Sequence, residues 1–135
     1  MKKILFICKY NRFRSIFAEA FFNKYNKNKS LKAKSAAPIL GTLLSRGTKR
    51  LAKEFNVKIK KRPTGLTSKL LKWQNVIVIV ADDVPKELFK ENKLYGKELI
   101  HWQIHDTESE NLADSREIIK NIKQKVIGLI KELNK

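Results

Sequence analysis

The chain contains only one cysteine, three prolines and five glycines among its 135 residues. A single cysteine excludes an intramolecular disulfide, and any zinc site would need ligands of other types. No apolar run approaches the roughly 18 residues of a membrane span, and the run at residues 4–8 is too short for a signal-peptide core. We therefore expect a cytoplasmic protein that does not enter a membrane.

Acidic side chains are also scarce, because 13 Asp and Glu stand against 30 Lys and Arg, a formal net charge of +17. Such a field attracts anions, including nucleic acid, acidic membrane surfaces and phosphorylated substrates. The lysines are scattered along the whole chain, and the densest run, residues 58–62, is short, which is typical of a solvated surface. The charge alone permits nucleic acid as a partner without favouring it.

Residues 1–135 are predicted to form one domain, because no repeat and no low-complexity linker divides them. Apolar runs of strand length alternate with helical patterns, which is typical of βαβ units and a mainly parallel sheet. We predict an α/β fold with three layers, αβα, around a four-stranded parallel sheet. The predicted strands are residues 4–8, 31–36, 76–80 and 98–102. Helices are predicted from about Arg14, over residues 45–56 and 67–73, after residues 82–85, and in the C-terminal segment, where apolar residues from Ile119 to Leu133 share one face.

The most informative segment follows the first predicted strand and reads Cys8-Lys9-Tyr10-Asn11-Arg12-Phe13-Arg14-Ser15. If a helix opens at Arg14, the backbone N–H groups of the intervening residues can converge on one tetrahedral oxyanion, helped by the helix dipole. The same field favours the thiolate of Cys8. Arg14 can grip two phosphate oxygens with its planar fork, and Ser15 can donate its hydroxyl to the sulfur.

This segment resembles the signature loop of the low-molecular-weight protein tyrosine phosphatases and the related arsenate reductases, with the pattern Cys-x-Gly-Asn-x-Cys-Arg-Ser. Cys8, Asn11, Arg14 and Ser15 match it in register. The likeness continues through residues 35–37, 81–83 and 102–106, in matching order and spacing. The resemblance implies a sheet of strand order 2-1-3-4 and neither a metal nor an organic cofactor.

The resemblance also implies a role for each matched residue. Cys8 would attack phosphorus and become a phosphocysteine, while Arg14 and the loop residues 9–13 hold the phosphate oxygens. Asn11 and Ser35 would form a hydrogen-bond network that supports Ser15. Asp106 would be the general acid, although Glu108 and Glu110 lie close enough in sequence to replace it.

Several residues depart from the family pattern. Tyr10 stands in place of glycine, Phe13 in place of the second loop cysteine, Thr107 in place of a proline, and Lys61 in place of a histidine of the supporting network. Near the same sheet edge, we predict that Asp83 caps a helix, while contact between Asp82 and the loop is the less favoured interpretation. His101, His105 and Asp106 are close in sequence, but a strand leading into a loop rarely converges them on a metal.

We therefore predict a cysteine-dependent phosphatase that acts on a phosphorylated protein or a small phosphate ester, and whose loop also binds inorganic phosphate, sulfate or arsenate. An arsenate reductase that uses Cys8 and an external thiol is an alternative, since a relay through protein thiols would need at least two further cysteines. A non-catalytic protein that binds oxyanions or nucleic acid is the remaining alternative.

Overall fold

The computed structural model describes residues 2–108 and 111–135, in which strands and helices alternate along the chain as predicted. The strands are β1 (Lys2–Ile7), β2 (Leu31–Ala36), β3 (Val76–Val80) and β4 (Glu98–Trp102). The helices are α1 (Arg14–Tyr25), α2 (Arg46–Glu54), α3 (Ser68–Trp73), α4 (Glu91–Leu94) and α5 (Leu112–Leu133), with a 3-10 helix over Lys86–Phe89.

The four strands form a parallel sheet of order β2-β1-β3-β4, which confirms the predicted fold class and strand order. All five residues of β3, Val-Ile-Val-Ile-Val, are buried, because both faces of this central strand are covered by other elements. Parallel pairing places the carboxyl ends of the strands at one edge of the sheet. The segments after β1, β3 and β4 therefore meet there, which is where ligands bind in such sheets.

Helices α1 and α5 cover one face of the sheet, where Phe6 and Val78 pack in a core with Phe17, Phe21 and Ile119. The other face carries a second buried cluster that includes α3 and the 3-10 helix. The sheet thus lies between two helical layers, as predicted. Among the described residues, no helix is both long enough and apolar enough to cross a membrane.

The ends of the elements agree with most of the local signals in the sequence. Ser45 caps α2 as predicted, because its Oγ accepts a hydrogen bond from the backbone N–H of Thr48 at 3.1 Å. Strand β1 ends at Ile7, so Cys8 is the first residue beyond it. The prediction that Asp83 caps a helix is wrong: the 3-10 helix follows Pro85 without a side-chain cap.

Candidate active site

The thiol of Cys8 lies at the carboxyl end of β1 and is 2% exposed. Its Sγ is 2.9 Å from Oγ of Ser15, in the first turn of α1. Nδ2 of Asn11 donates a hydrogen bond to the same Ser15 oxygen at 2.7 Å. Because an amide nitrogen can only donate, Ser15 accepts from Asn11, and its own hydroxyl proton is free to point at the sulfur.

Asn11 is fully buried and adopts a left-handed backbone conformation, with φ of 52°. Asparagine tolerates this conformation better than most residues. Its Oδ1 accepts a hydrogen bond from the backbone N–H of Thr64 at 2.8 Å. The side chain therefore connects the loop to a distant segment, which fixes the orientation of the amide that holds Ser15.

Lys60 supports Thr64 in turn, and sequence reasoning missed both residues. Nζ of Lys60 donates to Oγ1 of Thr64 at 2.9 Å and to the backbone carbonyl of Ser35 at 2.8 Å. The same nitrogen lies 3.9 Å from Oε1 of Glu19. The hydroxyl of Ser35 donates to the same Glu19 carboxylate. Ser35 thus joins the network through Lys60 and Glu19, with no direct hydrogen bond to Ser15 or Asn11 in the described part of the chain.

Lys60, and not its neighbour Lys61, takes part in the supporting network. Lys61 is exposed, whereas the side chain of Lys60 is only 22% exposed and turns toward the loop. Burial lowers the pKa of Lys60 below its ordinary value, while the Glu19 carboxylate and the Cys8 thiolate raise it. The side chain of Lys60 therefore belongs to the network behind the loop through its contacts with Thr64, Ser35 and Glu19.

The guanidinium of Arg14 is buried at the start of α1 and is held by the segments that follow β3 and β4. Nη1 donates to the carbonyl of Ile104 at 2.9 Å, and Nη2 donates to Oδ1 of Asp83 at 2.9 Å. Asp82 and Asp106 lie further away, with oxygens 3.7 and 3.8 Å from the guanidinium nitrogens. Asp83 is therefore an ion-pair partner of Arg14, and Asp82 also lies near the loop, although the sequence did not favour that contact.

A cavity of about 290 Å³ opens over this loop. Asp106 lies in its wall with a half-exposed side chain, and its Oδ1 accepts a hydrogen bond from the backbone N–H of Thr107 at 2.9 Å. Glu108 lines the same cavity, whereas Glu110 lies outside the described residues. The lining consists of Cys8, Tyr10, Arg12, Phe13, Arg14, Ser45, Thr48, Leu51, Asp106, Thr107, Glu108 and Ser115.

The loop side chains divide between the cavity and its surroundings. Tyr10, Arg12 and Phe13 line the cavity, whereas Lys9 and Asn11 do not. The Nζ of Lys9 lies 5.3 Å from the centroid of the Tyr10 ring. Nη2 of Arg12 donates to the carbonyl of Leu43 at 3.1 Å, and its buried Nε has no hydrogen-bond partner among the described residues.

The backbone of the loop has unused donors. Within residues 2–108 and 111–135, the backbone N–H groups of residues 9–13 meet no protein acceptor. Such groups are normally paired unless water or a ligand satisfies them. Together with the N-terminus of α1, they make the loop a suitable site for a tetrahedral anion.

The two histidines do not form a metal site with Asp106. His101 Nε2 lies 2.8 Å from the carbonyl of Ala81, and His105 Nε2 lies 3.2 Å from Oδ1 of Asp114. Across the ranges that the structure describes, no group of three His, Cys, Asp or Glu side chains is arranged to hold a metal ion.

Solved structures that share this architecture over nearly the whole chain include an arsenate reductase and two small phosphatases. The family model for low molecular weight phosphotyrosine protein phosphatase matches residues 3–135. The chain belongs to this family. No match was found among curated protein sequences.

Three solved structures illustrate the likeness. An arsenate reductase from Archaeoglobus fulgidus is 25% identical, with a TM-score of 0.73 over 95% of this chain and 98% of that one. A low molecular weight protein tyrosine phosphatase from T. tengcongensis is 23% identical, with a TM-score of 0.82 over 98% and 99%. The YwlE arginine phosphatase from Geobacillus stearothermophilus is 20% identical, with a TM-score of 0.83 over 99% and 94%.

Proposed function

We propose that the protein hydrolyses phosphate monoesters, such as phosphotyrosine in a protein or a small aryl phosphate, through a phosphocysteine intermediate. The observation that carries this proposal is the contact of 2.9 Å between Cys8 Sγ and Ser15 Oγ, beneath a cavity that Arg14 and Asp106 also line. A nucleophile, a cation for phosphate oxygens and a carboxyl group are thus available to one substrate.

In the first step, the Cys8 thiolate attacks phosphorus, so that a P–S bond forms while the ester P–O bond breaks. Asp106, in its protonated form, gives its proton to the departing alkoxide or phenoxide, which leaves as an alcohol or a phenol. A positioned general acid of this kind contributes about 10²–10⁴ in rate. The half-exposed carboxyl of Asp106 can exchange its proton with water between turnovers.

Arg14 holds the phosphate while these bonds change. The guanidinium has five N–H donors, of which Ile104 and Asp83 each engage one. The remaining donors and the unpaired backbone N–H groups of residues 9–13 are available for the phosphate oxygens. Because Asp83 and Ile104 fix the guanidinium plane, the donors are oriented before the substrate arrives, which favours the transition state.

In the second step, water attacks the phosphocysteine, the Asp106 carboxylate takes a proton from that water, and the P–S bond breaks. The electron pair of this bond returns to sulfur, where the Ser15 hydroxyl proton stabilises the thiolate. Inorganic phosphate leaves the loop. The same donors should bind phosphate, sulfate or arsenate as free ligands.

The test is hydrolysis of an aryl phosphate and of a phosphotyrosine peptide by the intact chain, Cys8→Ser and Asp106→Asn. We expect no turnover by Cys8→Ser and competitive inhibition of the intact chain by phosphate. Turnover that survives in Cys8→Ser would contradict a thiolate mechanism.

Reduction of arsenate is a second candidate, supported by the likeness to the arsenate reductase at 25% identity and by the single cysteine. Cys8 would form a sulfur–arsenic bond with loss of water. An external low-molecular-weight thiol would then attack sulfur and release arsenite, and a second thiol would reduce the mixed disulfide. The overall reaction consumes two thiols per arsenate, which a thiol-consumption assay measures beside the phosphatase assay.

A further inference from the structure

Helix α2 carries four exposed basic side chains on one face. Arg46, Lys49, Arg50 and Lys53 are spaced at i, i+3, i+4 and i+7, which places them in a single row along the helix. We call this row the α2 basic stripe. It contributes four positive charges in a helix of nine residues.

The stripe works against the stability of its own helix. The first turn contains no acidic residue, so Arg46 meets the positive end of the helix dipole. The pairs Arg46–Arg50 and Lys49–Lys53 are like charges four residues apart, which repel each other. Sequence features that destabilise their own helix, such as these charge repulsions, are typical of functional sites.

The one acidic residue of α2 offsets only part of the stripe. Glu54 is bound by Arg116 of α5, with Oε2 to Nε at 2.7 Å and Oε1 to Nη2 at 3.0 Å. These contacts and the nearby charge of Arg50 lower the pKa of Glu54, so Arg50 is partly offset, while Arg46, Lys49 and Lys53 keep the stripe positive. The net positive field of α2 therefore faces solvent.

The stripe lies one helix width from the candidate active site. The opposite side of α2 contributes Thr48 and Leu51 to the cavity over Cys8. A helix with its side chains is about 10–12 Å across. A chain that passes around half of this helix travels about 16–19 Å. Since an extended chain advances about 3.3 Å per residue, it does so within about five to six residues.

We propose that the α2 basic stripe docks an acidic segment of a phosphorylated protein whose phosphorylated side chain enters the cavity. The acidic residues stand about five to six positions from the phosphorylated one. This inference rests on the proposed phosphatase function and narrows its substrate class to acidic phosphoproteins.

A protein segment fits this surface better than RNA does. Asp106 and Glu108 line the cavity and repel a continuous polyanion, whereas a single phosphate meets Arg14 beyond them. Single-stranded nucleic acids are usually held by aromatic side chains on which bases stack. Helix α2 contains no aromatic residue.

The experiment compares three phosphotyrosine peptides of equal length. At about five to six positions from the phosphotyrosine they carry acidic residues, glutamines or lysines. An aryl phosphate is the fourth substrate. The stripe variant is Arg46→Gln, Lys49→Gln and Lys53→Gln combined. The matched control removes three exposed charges elsewhere, with Lys29→Gln, Lys90→Gln and Lys93→Gln combined.

We expect the intact chain and the control variant to prefer the acidic peptide over the glutamine peptide by about tenfold in kcat/KM, since each exposed charge pair contributes a factor of about two. The stripe variant should lose this preference, and 0.5 M salt should remove it from the intact chain, because salt at about this concentration screens exposed charges. Hydrolysis of the aryl phosphate should be equal in all three proteins.

Two results would overturn the docking proposal: equal kcat/KM for the three peptides while the aryl phosphate is hydrolysed, or a preference that persists in the stripe variant. A complete lack of aryl phosphate hydrolysis would instead refute the proposed function. Fluorescence anisotropy then measures how tightly the protein binds the same peptides. Equal affinity for the acidic and the glutamine peptides would overturn the docking proposal. Tighter binding of a uridine 12-mer, lost in the stripe variant, would assign the surface to RNA.

Discussion

Replacing Lys60 by methionine removes the ammonium group that links Thr64, Ser35 and Glu19 behind the phosphate-binding loop, while preserving most of the side-chain volume. Two hydrogen bonds from a charged donor are lost, at 2.9 and 2.8 Å. Such bonds contribute about 1.5–3 kcal/mol each to stability. The gross loss is therefore about 3–6 kcal/mol before compensation.

Part of this loss is compensated. Burial disfavours the ammonium, as its lowered pKa indicates, and methionine has no such desolvation penalty. The side chain is 22% exposed, so water can reach the carbonyl of Ser35 once the amine is gone. We expect a net decrease of about 1–3 kcal/mol in the free energy of unfolding.

The effect on catalysis follows from the hydrogen bonds that run from Thr64 through Asn11 to Ser15 and Cys8. With Thr64 released, Asn11 no longer fixes the Ser15 hydroxyl against sulfur. We expect kcat for an aryl phosphate to fall about tenfold, equivalent to about 1.4 kcal/mol of transition-state stabilisation. Iodoacetamide should also alkylate Cys8 more slowly at neutral pH.

Lys61→Met is the matched control, because it removes the same charge from the neighbouring, exposed residue. Exposed substitutions of this kind change stability by about 0.5 kcal/mol or less. Urea unfolding, steady-state kinetics and alkylation rates are compared for both variants. If Lys60→Met and Lys61→Met match in all three, the network does not support the nucleophile.

Three further predictions concern other parts of the site and its surroundings. Asp106→Asn should lower kcat for an aryl phosphate about 10²–10⁴-fold with little change in KM. An unchanged kcat would contradict a general-acid role for Asp106 and make Glu108 the candidate, which Glu108→Gln then tests. Gly41→Ala would place a Cβ 2.5 Å from the Tyr10 carbonyl oxygen, so the phosphate-binding loop must move. Inhibition by phosphate should then weaken, which a higher Ki for phosphate would show. Gly128→Ala is the control, because the added Cβ would have no neighbouring atom within 4 Å, and it should stabilise α5 by about 0.5–1 kcal/mol. Equal Ki values for phosphate in the two variants would contradict a close contact between Gly41 and the loop. Hydrogen bonds from Thr107 and His105 lower the pKa of the Asp114 carboxyl in the folded protein. The ionised carboxyl therefore stabilises the fold above the unfolded pKa of about 3.9, and this stabilisation is lost as the pH falls through the lowered pKa. Asp114→Asn should therefore reduce the Tm at neutral pH, and this difference should vanish at low pH; a constant difference in Tm would contradict the linkage.

Local signals were sufficient for the fold because each element has its own pattern. The unbroken β-branched run 76–80 predicted a buried central strand, and Ser45 predicted the start of α2. The order of Cys8, Arg14 and Ser15 predicted the loop, since a strand, a turn and a helix N-terminus are consecutive in sequence. All of these depend on residues that are close along the chain.

The supporting network depends instead on contacts between distant segments. Thr64 reaches Asn11 because residues 64–66 pair with Ala37 beyond the end of β2, through hydrogen bonds of 3.0 and 2.8 Å. No local pattern sets the register of this pairing, so the choice between Lys60 and Lys61 could not be made from the sequence. Asp83 was assigned to a cap for the same reason, because its partner Arg14 is 69 positions away.

The burial of the only thiol has a consequence for oxidative stress. Peroxide converts a thiolate to a sulfenic acid, which a neighbouring cysteine normally traps as a reversible disulfide. Cys8 is the only cysteine of the sequence. At the loop position where relatives have a second cysteine, Phe13 packs against Phe17, with ring centroids 5.4 Å apart. If Cys8 acts as proposed, we expect recovery from oxidation to depend on small thiols that reach sulfur through the cavity over the loop, and bound phosphate to slow the oxidation.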